Sequence, residues 1–166
     1  MVLLLFSSCG PAVYVDYEKE QDFSQFTTYQ FYSNIDSGLN QLDNKRIVRA
    51  IDSVLQQRGF KRTDNNRFFI DFYANESISN SRNTLGVGIG GGGGNVGVGV
   101  SGGIPIGGAV VNQQLTIDIV DASANQKLVW QAVVESQLKE RSTPKQKEDY
   151  YFQVVQKALN KFPPKH

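Results

Sequence analysis

The chain has 166 residues, which supports one domain with its own core. Hydrophobic residues make up 40% and charged residues 20%, the balance of a globular protein, and the formal net charge of +1 with dispersed Lys and Arg leaves no electrostatic footprint for nucleic acid. The only Cys is Cys9 and the only His is His166, which rules out an intramolecular disulfide and removes the basis for His/Cys zinc sites and His-dependent hydrolases.

The chain opens with an apolar run, Val2 to Phe6, followed by Ser7, Ser8, Cys9 and Gly10. Small residues before a Cys resemble the lipobox of bacterial lipoproteins, where signal peptidase cuts just before a lipid-modified Cys. The run is too short to span a bilayer, which takes about 20 residues. It is also shorter than the usual signal-peptide core of about 7–15 residues and lacks a preceding Lys or Arg. A precursor that starts further upstream, or a misassigned start codon, would account for both. The competing reading is a disordered apolar N-terminus with an incidental thiol. On the lipobox reading, residues 1–8 are a signal-peptide remnant and residues 9–12 are the lipidated Cys9 and its tether. Each buried CH₂ of the acyl chains would contribute about 0.8 kcal/mol, so two or three chains make a permanent anchor.

Residues 13–165 read as a single α/β domain. Val13, Val15 and Tyr17 alternate with Tyr14, Asp16 and Glu18, which is strand periodicity. Thr27 to Tyr32 is a second strand, rich in β-branched and aromatic residues. A helix over Gln41 to Arg58 carries Leu42, Ile47, Val48, Ile51, Val54 and Leu55 on one face. Gly59 is its natural stop, and Phe60 can pack back on the helix end. Arg67 to Ser77 predicts a third strand with Phe68, Ile70, Phe72 and Ala74 on one side. Gln114 to Val120 and Leu128 to Glu135 predict a hairpin around the turn at 121–126, with Leu128, Trp130, Ala132 and Val134 facing inward. Thr143, Pro144 and Gln146 predict a capping box for a last helix with Tyr150, Tyr151, Val154, Val155, Ala158, Leu159 and Phe162 as its apolar stripe. The order is ββαβ, a Gly-rich insert, then ββα. It predicts an α+β two-layer sandwich: a mainly antiparallel sheet of about five strands with both helices on one face.

Several stretches in this order resemble a family of bacterial lipoproteins known only as domain of unknown function 4136. They are Val15-Asp16-Tyr17 with Asp22-Phe23-Ser24-Gln25-Phe26-Thr27-Thr28-Tyr29-Gln30-Phe31, then Arg46 to Phe60, the Gly-rich segment, and Leu115 to Ala122 with Leu128-Val129-Trp130. The closing Lys161-Phe162-Pro163-Pro164-Lys165 is similar too. The resemblance implies a secreted, lipid-anchored domain and supplies no catalytic residue. Many members have Trp-Arg-Gly where this chain has Trp130-Gln131-Ala132, so that Arg is not a required functional group here.

Residues 86–108 hold 13 of the 16 glycines, alternating with Val and Ile around Gly90 to Gly94. Three readings of insert 85–108 remain open: a flexible linker, a Gly/Val hairpin extending the sheet, and a membrane-inserting hairpin. The glycines are not followed by the Lys and Ser or Thr of a phosphate-binding loop. Asp16, Asp22, Asp118 and Asp121 are the carboxylates considered for acid–base chemistry. Asp121 beside a turn fits an Asx-type bond, and Asp118 fits an outward strand position. Trp130 fits core packing better than a binding platform, while Tyr14, Tyr29 and Tyr73 are candidates for exposed aromatics on the sheet.

No catalytic, cofactor or metal residue emerges, and Cys9 is the single site residue, for lipidation. The expected function is a non-enzymatic binding or structural role in the cell envelope, on the periplasmic face of the outer membrane. The expected partners are the membrane, through Cys9, and an envelope protein. The alternative is an accessory factor in outer-membrane assembly or lipid transport, by fold analogy alone.

Overall fold

Six strands pair into a single sheet among the described residues of the computed structural model, which describes residues 11–79, 108–123 and 125–165. The expectations for Cys9 and for insert 85–108, apart from Gly108, lie outside the described residues. The strands are β1 (Ala12–Tyr17), β2 (Thr28–Phe31), β3 (Lys61–Arg62), β4 (Phe68–Ser79), β5 (Val110–Asp121) and β6 (Leu128–Lys139). The helices are α1 (Gln41–Gln57), between β2 and β3, and α2 (Pro144–Ala158), after β6.

The spatial order is β1-β6-β5-β4-β2-β3. Pairings β1/β6, β6/β5 and β5/β4 are antiparallel, but β2 runs parallel to both β4 and β3. The sheet is therefore a mixed one of six strands, a correction to the mainly antiparallel sheet of about five. The reason is local: α1 is a connection long enough to carry the chain back to the same end of the sheet, which parallel pairing needs. The two-residue β3 carries no periodic signal because two residues cannot show one.

Register fixes which side chains share a face. Val15, Ala132, Ile117 and Phe72 form one row across four strands, and Val13, Val134, Leu115 and Ala74 form the next. Trp130, Ile119, Ile70 and Phe31 form a third. These rows and the apolar stripes of both helices make up one core. Leu128 does not join it; it is 47% exposed. Ile119 pairs with Trp130 but Val120 pairs with Leu128, so Val129 is an extra residue that reverses the phase.

Helix α1 starts at Asn40, whose side chain accepts from the amides of Leu42 and Asp43. It ends as expected at Gly59, with φ of 90°. The Gly59 amide donates to the Gln56 carbonyl and the Phe60 amide to the Leu55 carbonyl, a Schellman pair. Leu42, expected on the apolar face, is 62% exposed in the first turn, and the buried residue there is Asp43. Helix α2 has the full capping box, Thr143 reciprocating with Gln146, and Pro144 opens it.

Ile51 is fully buried between sheet and helices, so Ile51→Ala should cost about 2–5 kcal/mol. Leu42→Ala should stay within about 0.5 kcal/mol. Paired urea unfolding curves check this contrast.

Candidate functional site

The strands β4, β5 and β6 continue beyond the row of Ala74, Leu115 and Val134, and polar residues take over the next inward position. Glu76, Gln113 and Ser136 lie side by side there, one step past Ala74, Leu115 and Val134. Helix α2 brings Tyr150 and Tyr151 over this row. The Gln113 amide donates to Glu76 Oε1 at 2.7 Å and lies 3.2 Å from the Tyr151 hydroxyl. The Tyr150 hydroxyl donates to Gln113 Oε1 at 3.2 Å and lies 2.7 Å from Ser136 Oγ. A cleft of about 840 Å³ opens above the row, lined also by Pro11, Ala12, Gln153 and Val154.

Gln113 is buried and Tyr150 half-buried. Burial raises the pKa of both Tyr150 and Tyr151, so both hydroxyls stay protonated at neutral pH. Ser136 therefore faces a protonated neighbour rather than a base, and the cluster sets neutral amide and hydroxyl groups beside the carboxylates of Glu76 and Glu135. A ligand that donates hydrogen bonds through hydroxyls or amides suits such a cleft.

Just below, Asp43 joins the helices. It is buried, and its carboxylate accepts from Arg46 Nη1 at 2.6 Å, Asn40 Nδ2 at 2.7 Å and Lys147 Nζ at 3.0 Å. Burial alone would raise its pKa, but hydrogen bonds from Lys147, Asn40 and Arg46 and the Lys147 charge bring it below the usual value. A carboxyl with a depressed folded pKa stabilises the fold above its unfolded pKa and loses that contribution as pH falls through the folded value. Asp43→Ala leaves two cations without their partner and should cost about 3–5 kcal/mol at pH 7. Thermal melts should show this penalty shrinking in acid, below the wild-type carboxyl's titration.

Among the described residues, no helix lies on the opposite face of the sheet. Asp16, Gln131, Asp118 and Asp71 line up across β1, β6, β5 and β4. Asp118 is on this outward phase, as expected, but half-buried, and Gln131 donates to its Oδ1 at 2.8 Å. Burial raises the Asp118 pKa and the Asp71 charge adds to this, against the Gln131 hydrogen bond. A raised carboxyl pKa means that ionisation at neutral pH opposes folding. Asp118→Asn should therefore raise the melting temperature at pH 7, with the gain shrinking as pH drops and the wild-type carboxyl protonates.

The remaining candidates have structural duties. Asp22 caps a short 3₁₀ turn, accepting from the Ser24 amide at 2.9 Å. Asp121 is buried, holds Arg67 at 3.1 Å and accepts from the Ser123 amide at 2.7 Å, the expected Asx turn. Asp16 is exposed and accepts from the Tyr17 amide. Trp130 lies in the core, its ring 5.2 Å from that of Phe162. Tyr14 and Tyr73 are exposed on the helix-free face, in one register row with Val133 and Thr116. Tyr29 corrects its expectation. It is wholly buried on the helix side, with its hydroxyl 2.7 Å from Asp52 Oδ1, because its phase matches Phe31. Among the described residues no three His, Cys, Asp or Glu side chains are placed to hold a metal ion.

The sequence reading passed over Glu76, Gln113 and Ser136. Their signal is phase: each continues the inward alternation of its strand with a polar side chain.

Comparisons with known proteins agree on fold. A PDZ domain protein from Parabacteroides distasonis superposes with a TM-score of 0.57 at 18% identity, over 93% of this chain and 36% of that one. The chain thus spans about a third of that protein's length. PelC from Paraburkholderia phytofirmans, solved as a dodecamer, gives 0.56 at 14% identity, over 95% of this chain and 100% of that one. A second PelC dodecamer gives 0.52 at 16% identity, over 90% and 96%. No curated protein sequence matches. The family model described as a domain of unknown function, DUF4136, matches residues 13–164, and the chain belongs to that family.

Proposed function

We propose that the chain is a lipoprotein of the cell envelope, held to a membrane by lipid on Cys9, with a binding or structural role rather than a catalytic one. The observation that carries the anchor is the order of residues: an apolar run, Ser7, Ser8 and Cys9 stand just ahead of Ala12, where β1 begins. No described helix is long and apolar enough to cross a membrane. A lipid on Cys9 would supply the attachment. The periplasmic face of the outer membrane is the proposed location, with an envelope protein as partner.

Support for binding over turnover comes from how the carboxylates are used. Asp43 ties two helices, Asp121 closes a turn and Asp22 caps one. The cleft over Gln113 sets amide and hydroxyl groups beside the carboxylates of Glu76 and Glu135, which suits recognition of a polar ligand that donates hydrogen bonds. A second reading, an accessory factor in envelope assembly that works as an oligomer, is favoured by the likeness to PelC, a dodecamer. Light scattering of the purified chain separates a monomer from that oligomer.

Cys9→Ala should abolish labelling by fatty acid and move the protein from the membrane to the soluble fraction. A variant that keeps its membrane location and its labelled lipid would contradict the anchor.

A further inference from the structure

One row of the sheet has no described cover. Beyond the polar row Glu76, Gln113 and Ser136, the inward phase turns apolar again with Ile78, Val111 and Leu138, in register across β4, β5 and β6. Ile78 is 65% exposed, and Val111 and Leu138 are half-buried. Isolated apolar residues on a surface are ordinary, but a contiguous row at the projecting end of three strands marks a contact surface.

The start of the chain lies beside this end. Ala12 pairs with Glu135, and Leu138 is three residues further along β6. Cys9 is three residues before Ala12, on a strand that runs antiparallel to β6. At about 3.3 Å per residue, Leu138 lies about 10 Å beyond the Ala12–Glu135 pair along β6, and a tether of three residues spans at most about that distance. The reach of the tether thus matches the height of the apolar row. Ser79, paired with Val110, stands at this end too, with exposed Lys139 and Arg141 flanking Glu140. An apolar row with two exposed cations, Lys139 and Arg141, at its edge fits the boundary between acyl chains and anionic headgroups.

We propose that the projecting end of β4, β5 and β6 sits in the headgroup layer of the membrane, with Ile78, Val111 and Leu138 as its apolar contact. This rests on the lipid-anchor reading of Cys9. Docking at this end stands the domain upright, with the sheet running away from the bilayer. It turns the opposite end, where Leu128 begins β6, about 35 Å away from the surface.

The test uses the full lipidated chain, in which the lipid thioether leaves Cys9 unreactive to thiol dyes. An environment-sensitive dye is attached through Leu138→Cys, and in a second preparation through Ile78→Cys. Leu128→Cys is the control at the far end. Each is reconstituted in phosphatidylglycerol–phosphatidylethanolamine vesicles with and without brominated acyl chains. The expected result is a blue-shifted emission, mostly lost to bromine, at both 138 and 78, and no quenching at 128. Quenching absent at all three sites in chains whose intact mass includes the lipid would overturn the docked end and leave the anchor standing. A mass without lipid would overturn both. Dye already shielded in the Cys9→Ala chain, in buffer without lipid or detergent, would assign the row to residues 80–107 or to a second copy, told apart by particle mass, and would also overturn the proposal.

Discussion

Among the described residues, helices cover one face of the sheet and not the other, and this one-sided burial governs the rest of the fold. Two helices lie over the same side, so every strand but the two-residue β3 presents its apolar phase there. The register rows from Val15 to Phe72 and from Trp130 to Phe31 satisfy that demand across the sheet. Phe162, just after α2, closes the far end. Its ring meets those of Phe23, Phe60, Phe68 and Trp130, which come from four separate segments. Arg58, capping α1, donates to the carbonyls of Leu159 and Phe162 and so locks the two helix ends together.

The same constraint creates the cleft. Strands β4, β5 and β6 are twelve residues long, while α2 covers only part of that length. Where cover runs out, the inward phase must meet water or a side-chain network. Glu76, Gln113 and Ser136 answer with polar groups satisfied partly by Tyr150 and Tyr151. A buried Gln with both ends of its amide bonded is stable in place, and its neighbours keep hydrogen-bonding capacity for a ligand. Asp43, just below, ties α1 to α2 through Lys147 and so holds the helix that carries Tyr150 and Tyr151.

Much of this was legible in the sequence. Periodicity located both helices and all strands but β3, and local chemistry identified the Thr143 capping box and the Gly59 stop. Parallel pairing of β2 was not legible, because alternation is the same for either direction; only α1 as a crossover hinted at it. Leu128 was misplaced because a bulge at Val129 changes phase without any marker residue. Tyr29 was judged by residue type, although its phase with Phe31 pointed inward. The cleft was missed for a related reason: polar residues at inward positions look like breaks in a pattern, whereas here they are where the covered face meets solvent.

Fold and family are settled independently of the membrane, so the functional account turns on the chemistry of one atom, Cys9 Sγ. The most direct measurement is the intact mass of the mature protein extracted from its native membranes. The account predicts a chain that begins at Cys9 and carries a diacylglyceryl thioether, with or without a third acyl chain on the amine. A chain that retains residues 1–8, or one that begins at Cys9 with a free thiol, would contradict it.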